Sequence, residues 1–346
     1  MKKEVLARLL VVLFILIAVA IPFGGQWLSD RNHPNTLELH ARILENGGWS
    51  MSNIQAKVGQ PIHLHITSDD VVHGFAIGKS DQPALEINPG EFVDTTLTFN
   101  QPGEYTFYCN QWCGPNHWRM RGTIEVTGSG TPLPLDAQPL YLKLGINIDL
   151  PQVAETIPTP MASAVRGGQF ASMLPAYAID RDTYLATSPA RFWLRLRAES
   201  SLTPLSDQDL WDVVAWVWRQ QTTSEALING QKLYATNCAA CHGETGQGNG
   251  VMVRGLPVWN PGDHTSSDKT HPSTGEGLMS PPNFTDPKNL LGASPALLEG
   301  KIIRGGMGTG MPYWGPIFTL PQIEDLVSYI YSFALGSSPQ VQPNQP

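Results

Sequence analysis

Cys109-Asn110-Gln111-Trp112-Cys113-Gly114-Pro115-Asn116-His117-Trp118-Arg119-Met120 is the stretch on which the reading of this 346-residue chain turns. It sets two thiols four residues apart, then an imidazole, then a thioether. Soft sulfur with imidazole nitrogen is the donor set that copper prefers and hard cations do not. One cysteine followed by His and Met on a loop between strands would point to a single blue-copper ion. A second cysteine lets two thiolates enter one site and bridge two copper ions. An electron shared between bridged metals spreads the charge change and lowers the reorganisation that accompanies transfer. Zinc is the competing occupant, and this donor set as a whole disfavours it.

Outward from this loop the chain reads as strands. Thr36 to Ile43, Pro61 to Thr67, Glu91 to Phe99, Gly103 to Tyr108 and Gly122 to Val126 are short and rich in Thr, Val, Ile and aromatics. Val93, Thr95, Leu97 and Phe99 alternate with more polar neighbours, the period of a half-buried strand. Asn88-Pro89-Gly90 and Gln101-Pro102-Gly103 mark turns. About seven strands in this space predict a Greek-key sandwich. The loop still needs a remote imidazole, and His73, in Asp70-Val71-Val72-His73-Gly74-Phe75, is the best placed, with Gly74 permitting a tight approach. His63 and His65 alternate with Ile62, Leu64 and Ile66 and read as an exposed strand face; His33 and His40 have no ligand context.

With these residues in view, Leu37 to Val126 resembles the CuA domain of cytochrome c oxidase subunit II. That family carries Cys-x-x-x-Cys-x-x-x-His-x-x-Met and an upstream His in a cupredoxin fold. The resemblance implies that Cys109 and Cys113 bridge two coppers and that His73 and His117 bind one each. Met120 would be a weak ligand, and the main-chain carbonyl of Gln111 would complete the set. Many relatives have Glu at that position, and a main-chain contact tolerates Gln.

Cys238-Ala239-Ala240-Cys241-His242 is the attachment motif of a covalent haem c, with His242 as the proximal iron ligand. A zinc or redox Cys-x-x-Cys is the alternative, disfavoured by the immediate His, the preceding helix with Tyr234, and the following Gly243 and Gly246. Met with His raises a haem potential into an electron-transfer range. Met311 and Met307 are the candidates for the second ligand, whereas Met279 and Met252 read as packing or loop residues. Ser224 to Leu335 resembles a cytochrome c domain, a family that places Met before Pro ahead of its last helix, which favours Met311-Pro312. The four cysteines thus fall into two close pairs with metal and haem spacing, too close to staple a chain this long as disulfides.

Between the motifs, Thr131 to Pro160 is proline-rich and reads as a linker. Ser206 to Trp218 predicts a helix, with Ser206 as N-cap, Asp207 and Asp209 at the positive end, and an apolar stripe of Leu210, Val213, Val214 and Val217. A second helix starts near Ser224 and runs into the haem motif, and a last one spans Pro321 to Phe333. Val165-Arg166-Gly167-Gly168 followed by Met173 echoes Ile303-Arg304-Gly305-Gly306 followed by Met311. Residues 129–222 are therefore read as a linker with, at most, a degenerate haem-free cytochrome c-like module. The fold expected is multidomain: a transmembrane helix (1–28), an all-β cupredoxin domain (29–128), this middle stretch, an all-α cytochrome c domain (223–336) and a tail (337–346).

The N-terminal segment is apolar from Val5 to Phe23 apart from Arg8. Its unbroken run from Leu9 is shorter than the ~20 residues that span a bilayer, and Ala18-Val19-Ala20 offers a cleavage pattern, so a signal peptide competes with an anchor. Extension to Trp27-Leu28 restores the length and adds an interfacial aromatic. Lys2, Lys3 and Arg8 place the N-terminus in the cytoplasm and the rest on the periplasmic or extracellular side, the compartment that haem attachment also requires. A net charge of −8 supplies no basic surface for nucleic acid.

The two resemblances together imply the electron-entry subunit of a respiratory haem-copper oxidase. Electrons would pass from an external donor, such as a cytochrome or a quinol-oxidising complex, through haem c to CuA and into a multi-helix subunit I. A nitric oxide reductase with the same subunit architecture, and a stand-alone membrane-anchored electron carrier or copper-handling protein, are the alternatives. No oxygen-reducing site is expected in this chain.

Overall fold

Alternation of apolar and polar residues folds the first part of the chain into two facing sheets. The computed structural model describes residues 36–114, 116–133, 138–150, 152–254, 280–306 and 310–336. The expected anchor, the tail and Met307 lie outside these. Among the described residues no helix is long and apolar enough to cross a membrane.

Eight strands form: β1 (Thr36–Ala41), β2 (Asn53–Lys57), β3 (Ile62–Ser68), β4 (His73–Ile77), β5 (Leu85–Ile87), β6 (Phe92–Leu97), β7 (Gly103–Tyr108) and β8 (Arg121–Thr127). One sheet has the order β1-β3-β6 and the other β2-β8-β7-β4-β5. The pairs β1–β3 and β2–β8 are parallel, and the remaining pairs antiparallel. In β8, Gly122, Ile124 and Val126 turn inward while Glu125 and Thr127 turn out. Leu39, Leu64, Ile66, Phe107 and Ile124 fill the space between the sheets. Trp49 stands edge-on to Phe75 (5.8 Å) and Phe107 (5.6 Å) and donates Nε1–H to the Met120 carbonyl at 3.2 Å. The core of the sandwich is thereby pinned to the end of the loop that joins β7 to β8.

The rest of the described chain is helical. The Asp207–Gln220 helix is closed at its start by a reciprocal box between Ser206 and Asp209, and Leu210, Val213, Val214 and Val217 are buried as their spacing predicts. The Ser224–Asn237 helix crosses the C-terminal Leu320–Leu335 helix at Gly230, where any side chain would run into the Asp325 main chain. Tyr234 then packs on Tyr329 (5.4 Å) and Phe333 (5.3 Å).

Residues 154–218 bury their apolar faces in the same core as residues 290–335, with Trp218 edge-on to Tyr331 at 6.0 Å. A boundary at residue 223 therefore cuts through one core. The two Arg-Gly-Gly segments also differ in conformation. Arg166 sits in the first turn of a short helix and grips the buried Asp212 with two nitrogens, at 2.5 and 2.8 Å. Arg304 ends the Pro295–Arg304 helix ahead of Gly305 at φ +75° and grips Asp149 in the proline-rich stretch. Shared letters serve different local structures.

The β-sandwich meets the helical part along one seam. The Lys79 amide donates to the Ile317 carbonyl at 2.8 Å, and Arg121 donates from a guanidinium nitrogen to the Tyr313 carbonyl at 2.7 Å. Tyr108, directly opposite Arg121 across β7–β8, packs against the helical core.

Candidate copper and haem sites

The loop from Cys109 to Met120 closes the β7–β8 hairpin, so its two ends are held in register by the strands. Cys109 follows β7 directly, and its amide donates to the Met120 carbonyl at 3.0 Å. His73 opens β4, the neighbour of β7, and is fully buried. Its Nδ1 lies 3.8 Å from Cys109 Sγ, and the Cys113 sulfur is also 3.8 Å from Cys109 Sγ. Donor atoms of His73, Cys109 and Cys113 all fall within 4.8 Å of one another, and all three residues are buried. The Gln111 carbonyl lies 3.1 Å from Cys109 Sγ. Met120 is buried at the foot of the loop.

His117 has a buried Nδ1 with no hydrogen-bond partner. A buried imidazole nitrogen left alone costs free energy that a bound metal would recover. The sulfur pair is asymmetric in proton affinity. A hydrogen bond from Cys113, opposed by burial and helped by His117 and His73, holds the Cys109 thiol well below its ordinary range, while the same bond and burial push Cys113 up. The donors present, their softness, their burial and the stranded His117 nitrogen fit copper.

Sequence reading did not single out Asp70. Its Oδ1 sits 2.8 Å from His73 Nε2, leaving Nδ1 to face the sulfurs. A carboxylate behind a ligating histidine fixes the ring and its tautomer, and an acid three residues before the imidazole was the available signal. Gly74 serves twice: its amide donates to Cys109 Sγ at 3.4 Å, and a side chain there would collide with Asn110. His63 and His65 lie on the outer face of β3, bonded to Thr96 (2.9 Å) and Asp94 (2.6 Å). His40 bridges Asp69 and Glu38, also away from the cluster.

The haem motif forms a turn at the end of the Ser224–Asn237 helix. Cys238 caps that helix, and the Cys241 and His242 amides both donate to the Cys238 carbonyl, at 3.1 and 2.9 Å. Gly243 reverses the chain at φ +78°, and its carbonyl accepts the buried Tyr234 hydroxyl at 2.9 Å. A side chain at Gly250 would strike the Ala240 carbonyl, so the returning loop can lie flat on the motif. Burial depresses the His242 imidazole to about 4, keeping it neutral as an iron ligand must be, and its Nδ1 is buried without a partner. Burial, reinforced by Cys241, pushes the Cys238 thiol up to about 12. The ring of His242 stacks on Phe284 at 4.8 Å. These features fit a covalently held haem.

Met311 pairs with Gly306 through an isolated bridge and packs, partly buried, against the core that also receives Cys238 and Phe284. Met252 lies in a short turn of 3-10 helix, and Met173 ends another and is exposed. Met279 and Met307 fall outside the described residues.

Comparison with known proteins matches residues 30–127 to the family described as cytochrome c oxidase subunit II, periplasmic domain, and residues 227–334 to cytochrome c. A cytochrome c oxidase subunit 2 of Thermus thermophilus is 42% identical over 79 residues, covering 23% of this chain and 58% of the relative. That of Schistocerca gregaria is 30% identical over 119 residues, covering 30% of this chain and 50% of the relative. The chain spans about half the length of the relatives it matches. Among solved structures, a haem-copper terminal oxidase dimer is similar at 22% identity over 37% of this chain and 100% of that one (TM-score 0.25). The periplasmic domain of subunit II from Bradyrhizobium japonicum is similar at 18% identity over 27% and 83% (TM-score 0.23). The first part of the chain is thus similar to subunit II periplasmic domains, and the last part to cytochrome c.

Proposed function

We propose that this chain is the electron-entry subunit of a membrane-bound haem-copper oxidase, relaying electrons from an external donor through haem c and a binuclear copper centre to a subunit I. The observation that carries the reading is the buried His73–Cys109–Cys113 cluster, with the stranded His117 nitrogen beside it, in a chain that also presents Cys238-Ala239-Ala240-Cys241-His242. Cys109 and Cys113 would hold both ions. His73, His117, Met120 and the Gln111 carbonyl would complete the shell. Bound there, two copper ions supply a one-electron relay whose charge change is spread over two metals and two sulfurs.

The protein's own part is positional. Asp70 orients His73, Trp49 ties the loop's end to the sandwich, and the buried walls keep water from the sulfurs. At the second site, His242 is held neutral by burial, and the turn from Cys238 to Gly243 carries both thiols and the imidazole within five residues. The N-terminal apolar segment would anchor the chain, with both centres on the outer face of the membrane. Subunit I would hold the oxygen chemistry.

The test is spectroscopic and stoichiometric. The purified chain should carry two coppers and one haem c, with a mixed-valence binuclear copper EPR signal. One copper with a mononuclear signal would sink the reading. Turnover of the isolated complex with oxygen, against nitric oxide, separates an oxidase from a nitric oxide reductase.

A further inference from the structure

The copper loop begins and ends on one cross-strand pair. Tyr108, covalently next to Cys109, lies opposite Arg121, covalently next to Met120. Arg121 contacts the segment that follows Met311, and Tyr108 packs on the helical core beside it. Arg121 donates to the Tyr313 carbonyl at 2.7 Å and lies over the Tyr313 ring (4.6 Å) and the Trp314 ring (5.6 Å). Tyr108 packs on the helical core to which Trp314, Ile317 and Met311 belong. Beside this pair, a Cβ built at Gly78 would lie 2.6 Å from the Pro316 carbonyl oxygen, and the Lys79 amide bonds the Ile317 carbonyl. One hydrogen bond therefore separates the residue after a copper ligand from a residue two positions beyond the candidate iron ligand.

We propose that the Tyr108–Arg121 pair is the seat on which the Met311 loop docks, with Arg121 the positioning residue that sets the haem centre at a fixed distance from the copper centre. The inference rests on the two-centre reading above. With haem c held by Cys238, Cys241 and His242 and two coppers held by the Cys109–Met120 loop and His73, the step it would serve is transfer of one electron from ferrous haem iron to the oxidised copper pair, with no proton moved and no bond broken. Charge-assisted hydrogen bonding and cation–π contact to two rings give a tighter hold than a neutral side chain could.

The test uses the full holo-chain, photoreduced anaerobically by a ruthenium dye, with haem and copper absorbances followed separately. Hydrogen exchange of the Lys79 amide reports the seat without reference to electron flow. Arg121→Ala should release Lys79 protection and slow haem-to-copper transfer by about tenfold, the effect of losing a charge-assisted hydrogen bond, with both centres' spectra unchanged. Arg121→Lys should recover part of the rate. Tyr313→Ala, which keeps the carbonyl acceptor, should act more weakly. Gly78→Ala leaves Arg121 in place but pushes the Pro316 main chain off, and should slow transfer as well; it decides the matter if Arg121→Ala fails to fold. Unchanged transfer in Arg121→Ala, or in Gly78→Ala with Lys79 protection lost, overturns the proposal. Absence of the binuclear copper signal from the wild-type sample would instead remove the two-centre reading, leaving the seat to be judged by Lys79 exchange alone.

Discussion

Asp70 accepts four hydrogen bonds. Oδ1 takes His73 Nε2 and the Val71 amide (2.8 and 2.7 Å), and Oδ2 takes the Ile43 amide and the Asn46 side chain (2.8 and 3.4 Å). Although burial alone would raise its pKa, these bonds hold the carboxyl below its ordinary value. It is thus a fixed anion behind the ring proposed to bind copper. Asp70→Ala should weaken copper binding about 10- to 100-fold, as loss of such a partner does elsewhere, measured by competition with a chelator. Equal affinity in the variant would show that the strand alone holds His73. At the haem, Met311→Leu should remove the thioether and lower the reduction potential or change the ligation. Redox titration and the absorption spectrum read this directly, and Met307→Leu should leave both unchanged; the reverse pattern would reassign the ligand.

The crossing of the Ser224–Asn237 and Leu320–Leu335 helices shows how much one element depends on one missing side chain. At Gly230 a Cβ would lie 2.7 Å from the Asp325 carbonyl carbon and 2.8 Å from the Tyr329 Cβ, so the helices would have to part. Gly230→Ala should cost about 1–3 kcal/mol, the range for overpacking, seen as a lower midpoint in denaturant unfolding; an unchanged midpoint would mean that the pair can separate freely. Elements with a strong local signature were legible in the sequence. β6, β7 and β8 follow their alternation, and the Asp207–Gln220 helix follows its cap and stripe. The helices between residues 140 and 197 were not, because they run from four to nine residues with prolines in and between them, and the core they join stabilises them more than their own pattern does. The proposed copper donors stand out in the sequence because five of the six, Cys109, Gln111, Cys113, His117 and Met120, share one loop. Asp70 needed the ring geometry, and Arg121 acts on a partner 192 positions away, which no local spacing reveals.

At the scale of the molecule, the stretch between the two motif-bearing regions contributes to the second one's interior. Trp211, Val213, Val214 and Trp218 are buried in the core that also holds Leu326, Ile330 and Tyr331. A fragment beginning at residue 223 would expose that face to water, whereas one beginning at 138 would keep it covered. The shorter fragment should be markedly less stable to heat and prone to aggregate, even with haem attached. Equal melting temperatures for the two would show that the haem domain is self-sufficient. The seam with the β-sandwich has a further consequence, for how the sequence can vary. Two hydrogen bonds that cross it end on main-chain carbonyls of the helical part, at Tyr313 and Ile317. No substitution can delete a main-chain carbonyl, so mutational drift at an exposed position such as Tyr313 leaves the docking bond in place. Substitution can break these two hydrogen bonds' geometry from the other side of the seam, at Arg121 and Gly78, and can otherwise reach the seat only through ring contacts such as those of Tyr313 and Trp314.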